Sequence, residues 1–148
     1  MKRHLHFEIV YPHPREKVWR ALTDPVAIAE WLMPNNFEPR VGHKFQFRTH
    51  PAPGFDGIID SEVLELDPPS RLVYTWSNGK LDTRVIWTLQ VTQEGTRLIL
   101  DHTGFEGLGG WMLSKALGQG WRSKKLAQKL PAYLDRMILP PASATPER

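Results

Sequence analysis

The 148-residue sequence contains no cysteine. That excludes a disulfide framework, a thiolate metal site and a cysteine nucleophile, and it suits a reducing compartment. No run approaches the ~20 apolar residues of a membrane-spanning helix. The opening MKRHLHFEIVYP has basic residues but no apolar stretch of the kind a signal peptide needs. A cytoplasmic protein is the expectation. Gly107, Gly109 and Gly110 are not followed by the Lys-Ser/Thr of a phosphate-cradling loop. No serine stands in a nucleophile-elbow context. The six histidines lack a His-x-x-x-His spacing, and His4 and His6 are expected on a strand face that meets water. Neither a metal nor another cofactor is expected.

Charge is modest, at a formal +3. Between 121 and 138, Arg122, Lys124, Lys125, Lys129 and Arg136 stand against one acid, Asp135. This reads as the solvated face of a helix; an acidic partner or an anionic membrane surface is the sharper alternative. The segment lacks the interleaved exposed aromatics of a single-strand binder, so nucleic acid is not an expected partner. Tryptophan, by contrast, is plentiful, with six in the chain. Such enrichment is common in ligand-lined cavities and in interfaces.

The densest information lies between 67 and 105. Large apolar residues fall on every second position: Leu72, Tyr74 and Trp76, then Val85, Trp87, Leu89 and Val91, and then Leu98 and Leu100. Period-two alternation of this kind predicts three strands, each buried on one face. Asn78-Gly79 and Glu94-Gly95 supply the hairpin turns between them. Residues 3 to 11 alternate in the same way and stop at Pro12 and Pro14. Arg15 to Thr23 reads as a helix, with Val18, Trp19 and Leu22 on one face. Asp24 is the expected N-cap of a second short helix through Ile28, Trp31 and Leu32. Strands follow at Lys44 to Thr49 and Ile58 to Leu66. In the latter Val63 and Leu64 cannot both face inward, which predicts a bulge. The stretch 106 to 120 is glycine-rich and reads as a mobile loop with a short helix. A long helix starts at Trp121, with an apolar stripe through Leu126, Leu130, Tyr133, Leu134, Met137 and Ile138. Pro131 inside it predicts a kink or a restart.

The expected fold is α+β: one domain over residues 1–139, followed by a disordered tail at 140–148. A six-stranded antiparallel sheet must curl, and its concave face can cradle the long C-terminal helix, with the two short helices after strand 1 plugging one end. One helix covers only part of such a face, so a pocket between sheet and helix is expected.

In this order, several segments are similar to a known superfamily. They are Pro14 to Pro25 (PREKVWRALTDP), Trp31, Val63 to Trp76 (VLELDPPSRLVYTW), Gly95 to Phe105 (GTRLILDHTGF), and Gly120-Trp121. Together they resemble the START-like, or helix-grip, superfamily of the birch pollen allergen and the bacterial polyketide cyclases. Within it they resemble the branch named after the C-terminal domain of the activator of the heat-shock protein 90 ATPase. The resemblance implies a helix-grip fold. It also implies a choice of functions, because this fold serves lipid carriage, hormone binding, cyclisation and chaperone regulation.

His102 continues the inward register of Leu98 and Leu100 and falls in the branch's Asp/Thr-His-x-Gly-Phe motif. It is either a histidine held by a backbone carbonyl or neighbouring side chain, or a hydrogen-bond donor to a ligand or a general acid/base. The candidate cavity residues are Phe45, Phe47, Tyr74, Trp76, Trp87, Leu89, Leu100, His102, Trp121 and Leu130; any one of the aromatic walls taken singly reads as plain core, and as a set they are expected to include lining residues. Trp19 reads as core, while Trp31 and Trp111 could sit near an entrance. No residue is assigned a catalytic role. The leading expectation is a protein that binds a hydrophobic small molecule, apolar or aromatic and lipid- or polyketide-like. Regulation of a chaperone ATPase by protein contact and a cyclase or aromatase-like enzyme are the alternatives. As partners, the small molecule comes first, then a chaperone, with the chain a monomer or weak dimer.

Overall fold

The alternation in the sequence is realised as one antiparallel sheet of six strands, ordered β1-β6-β5-β4-β3-β2. The computed structural model describes residues 2–51, 53, 56–78, 81–106 and 117–137. β1 is Lys2–Tyr11, β2 Lys44–Arg48, β3 Ile58–Asp67, β4 Arg71–Asn78, β5 Leu81–Val91 and β6 Thr96–Glu106. Two helices, α1 (Arg15–Thr23) and α2 (Pro25–Trp31), follow β1. The turn expected at Asn78-Gly79, the glycine-rich stretch from 107 to 116 with Trp111, and the tail after 137 lie outside the described residues.

The corner between α1 and α2 is built by local chemistry. Asp24 ends α1 and caps α2, its side chain accepting from the Val26 N–H at 3.1 Å. Pro25 sits in the first turn of α2, where a missing N–H costs nothing. The Trp31 indole N–H donates to the Ala21 carbonyl at 2.8 Å and locks the two helices together.

Both irregularities in the sheet change which side chains face inward. In β3, pairing with β4 shifts between Val63 and Glu65, leaving Leu64 as the extra residue. Val63 is buried and Leu64 only half-buried, so the expected bulge is present. In β6, Arg3 pairs with Phe105 but His4 pairs with Thr103, so Gly104 is the extra residue there. Its φ of +99° is a conformation glycine adopts freely. This bulge lets both His102 and Phe105 point inward, with ring centroids 4.7 Å apart. β6 therefore runs on past His102 to Glu106.

The C-terminal helix, α3, has two parts. Gly120–Lys129 is π-wound and Leu130–Arg136 is α-helical. The restart expected at Pro131 is this change of winding, with Pro131 in the first turn of the α-helical part. The wider winding has a packing consequence. Under α winding, Trp121 and Leu126 would stand about 140° apart around the axis. The π turn, closed by i→i+5 bonds, brings both to the buried side with Leu130 and Leu134. In that register the N–H that would reach the Leu126 carbonyl belongs to residue 131, a proline. The Tyr11 hydroxyl donates to that carbonyl instead, at 2.6 Å. Burial of this phenol pushes its pKa above the ordinary tyrosine range.

The outer face is polar. His4 Nε2 lies 2.8 Å from Asp101 Oδ1, and His6 Nδ1 lies 2.5 Å from the same oxygen. Hydrogen bonds from its ring to Asp101 and then to Glu8 raise the His6 pKa. For Asp101, burial acts upward, but the bonds from His6 and His4 outweigh it and hold the carboxyl below its usual value.

Candidate functional site

All ten residues expected to line a cavity lie on the inner side of the domain, each no more than 3% exposed. β2 contributes Phe45 and Phe47, β4 Tyr74 and Trp76, β5 Trp87 and Leu89, β6 Leu100 and His102, and α3 Trp121 and Leu130. The aromatic members form a continuous chain of ring contacts. Phe45 meets Phe47 at 5.2 Å and Tyr74 at 5.4 Å between centroids, and Phe47 meets Trp76 at 5.1 Å. Trp121 reaches in from the helix and stands 5.6 Å from both Trp76 and Trp87. Edge-on and tilted arrangements dominate, as the ring quadrupoles favour.

His102 sits at the centre of a closed polar relay. The Trp121 indole N–H donates to His102 Nδ1 at 3.2 Å, so that nitrogen is the acceptor. His102 Nε2 must then carry the proton, which it donates to Thr83 Oγ1 at 2.8 Å. Thr83 in turn donates to the Trp76 carbonyl at 2.7 Å. Both ring nitrogens are used, and only the neutral imidazole fits this pattern. Burial acts in the same direction and lowers the His102 pKa to about 3. Of the two expectations for His102, the structure realises the histidine held by neighbouring side chains.

Tyr74 is the second buried polar group. Its hydroxyl accepts from the Trp87 indole N–H at 3.0 Å. Among the described residues, this is the one hydrogen bond of the Tyr74 hydroxyl, which leaves its own proton without an acceptor. Burial raises its pKa above the usual range, partly offset by the bond from Trp87.

Three residues were missed or misplaced from sequence. Thr83, the hinge of the His102 relay, was legible as the polar member of an otherwise apolar inward register with Val85, Trp87 and Leu89. Phe105 was hidden by the Gly104 bulge. Trp31, expected near an entrance, is instead 1% exposed and packs edge-on to Trp87 at 6.0 Å, because its indole N–H is spent on the α1–α2 corner. Trp19 is half-buried at the border of the core.

The surface offers less organisation. One open depression lies over β2 and β3, among Asn36, Gln46, Asp60 and Glu62; another lies beside α1 and α2, among Glu16, Trp19 and Asp24. Three cations of α3 have partners elsewhere in the fold. Lys125 donates to the Leu32 carbonyl at 3.0 Å, Arg122 lies over the Phe7 ring, and Arg136 pairs with Glu30 at 3.1 Å. Among the described residues, no helix is long and apolar enough to cross a membrane.

A curved antiparallel sheet closed over by a C-terminal helix, with two short helices after the first strand, defines a START-like helix-grip domain. The family model for Activator of Hsp90 ATPase homolog 1-like protein matches residues 12–135, and the chain belongs to that family. Among solved structures, it is similar to protein MLL2253 from Mesorhizobium loti, with 36% identity, a TM-score of 0.83, and coverage of 93% of this chain and 100% of that one. It is also similar to DynU16, a putative protein in the dynemicin biosynthetic locus, with 27% identity and a TM-score of 0.75 over 90% of this chain and 47% of that one. CalU16 from Micromonospora echinospora shares 26% identity at a TM-score of 0.72, over 91% of this chain and 78% of that one. No curated protein matches the sequence.

Proposed function

We propose that this chain binds an apolar or aromatic small molecule between the concave face of its sheet and α3, with Tyr74 and His102 orienting it. The observation that carries this reading is the Tyr74 hydroxyl, a buried donor without an acceptor among the described residues, set in a wall of aromatic rings. The hydroxyl oxygen keeps its bond from Trp87, and a ligand oxygen would accept its remaining proton, a bond typically worth about 1 kcal/mol. Trp121 is the natural gate. It lies on the π-wound segment, a geometry often found at functional sites. Outward movement of its indole would free His102 Nδ1 as an acceptor for a ligand hydroxyl. Affinity would come mostly from apolar burial, at roughly 25 cal/mol per Å² less the ordering costs. DynU16 lends support, since a similar structure comes from a biosynthetic locus.

Acid–base catalysis fits this site less well. His102 has both nitrogens engaged and would have to shed Trp121 before moving a proton. Chaperone contact would have to use the outer face or α3, whose described cations are largely spent on internal partners.

The test is an amide-shift NMR screen of the chain against fatty acids, flavonoids, polyketides and sterols. A ligand that shifts Phe47, Trp76, Trp87, His102 and the Trp121 indole, and binds several-fold more weakly to Tyr74→Phe, supports the proposal. Absence of any shift across the panel would move the function to a protein partner.

A further inference from the structure

On the opposite side of the sheet, we propose that His4, His6 and Asp101 form a binding site for a borderline divalent transition cation such as Zn²⁺. One ligand atom from each residue lies within 4.8 Å of the other two. His4 and His6 are two apart on β1, so their side chains leave the same face of the strand. The β1–β6 register sets His6 directly opposite Asp101, supplying a third ligand 97 residues from His4. All three are therefore held by paired strand backbone rather than by loops.

The donor set suits the cation. Imidazole nitrogens and a carboxylate oxygen are the ligands Zn²⁺ takes at about 2.0–2.2 Å, and imidazole equally suits Ni²⁺ and Cu²⁺. His4 Nε2 and His6 Nδ1 both aim at one oxygen, Asp101 Oδ1, at 2.8 and 2.5 Å. The far nitrogen of His6 meets Glu8 Oε2 at 2.9 Å. This is the carboxylate–histidine support that fixes a metal-binding ring and raises its basicity. The side chains of His4, His6 and Asp101 are 55%, 49% and 23% exposed, which leaves an open approach and room for water to complete the coordination.

Spacing along the chain gave no sign of this site, because its third ligand arrives only through strand pairing. The test is isothermal titration of the chelator-treated full chain with ZnCl₂, repeated with NiCl₂. The expected result is one equivalent bound. His6→Gln and Asp101→Asn, surface changes that keep the strand polar, should each weaken binding at least tenfold. Glu8→Gln should weaken it about 10-fold or more through His6. His43→Ala, remote from the cluster, should bind as the parent does. No uptake by the parent chain, or parent-like affinity in both His6→Gln and Asp101→Asn, overturns the proposal. Circular dichroism of each variant establishes that it is folded, and backbone amide shifts on zinc addition, centred on β1 and β6, provide a readout that does not depend on the variants.

Discussion

His102 shows how a single side chain can be committed by its neighbours. Its Nδ1 accepts from Trp121 and its Nε2 donates to Thr83, so protonation would break the relay and charge a fully buried ring. The unfolded chain takes up this proton near pH 6.5, whereas the folded chain refuses it until about pH 3. Between those values the unfolded state binds more protons, so stability falls as the pH falls. From pH 7 to pH 5 this one group should remove about 2 kcal/mol. Urea unfolding at the two pH values checks it. The parent chain should lose about that much more than His102→Gln over the interval, and equal losses would show that His102 titrates normally.

At the scale of elements, the C-terminal helix and the first strand are tied by one bond with a specific cause. Pro131 deprives the Leu126 carbonyl of its helical donor, and Tyr11 supplies another from β1. Tyr11→Phe should therefore cost about 1–3 kcal/mol through an unpaired buried carbonyl. Pro131→Ala restores an N–H, so in that background Tyr11→Phe should cost less, with a coupling of about 1 kcal/mol in a double-mutant cycle. Strict additivity would break the link between the two residues. A second junction lies at the β5–β6 turn, closed by the Thr92 N–H donating to the Gly95 carbonyl at 2.9 Å. Gly95 has a φ of +145°, and a Cβ there would collide with the Tyr11 carbonyl oxygen and crowd the His13 nitrogen. Gly95→Ala should destabilise by at least about 1–3 kcal/mol, read as a lowered urea midpoint.

These elements were unequally legible in the sequence. The strands were readable because one face of each is buried and the other is wet, and the Val63-Leu64 conflict announced its bulge. α1 was readable from its periodicity and from the Asp24-Pro25 stop. The π winding left no comparable local mark. Its determinants are the five-residue step from Trp121 to Leu126 and a hydroxyl more than a hundred residues away, and only the folded chain joins them. The site divides along the same line. Alternation placed Tyr74, Trp76, Trp87 and His102 on the inner face, but which nitrogen of His102 meets which partner depends on β5 and α3 arriving together.

For the whole molecule, the sheet has two edges, β1 and β2, and four interior strands. Protection should follow that order, because edge amides open without breaking a second ladder. Hydrogen exchange by mass spectrometry should find β4 and β5 the slowest and β2 among the fastest, since β2 is short and flanked on one side only by the isolated Asn35–Phe47 bridge. Uniform protection across all six strands would mean that they open only together.

The pairing of β1 with β6 also sets a timetable. Strands β2 to β6 form a simple meander, each pairing with its neighbour in the chain. β1 has no such neighbour; its only strand partner among the described residues is the last strand of the sheet. β1 must therefore wait, its backbone groups bonded to water rather than to a neighbour, until β6 is in place. The loop that must then close is long, about 85 residues even between its nearest paired residues, Tyr11 and Thr96, and such closures slow folding. The strand that comes earliest in the sequence is thus among the last to be secured.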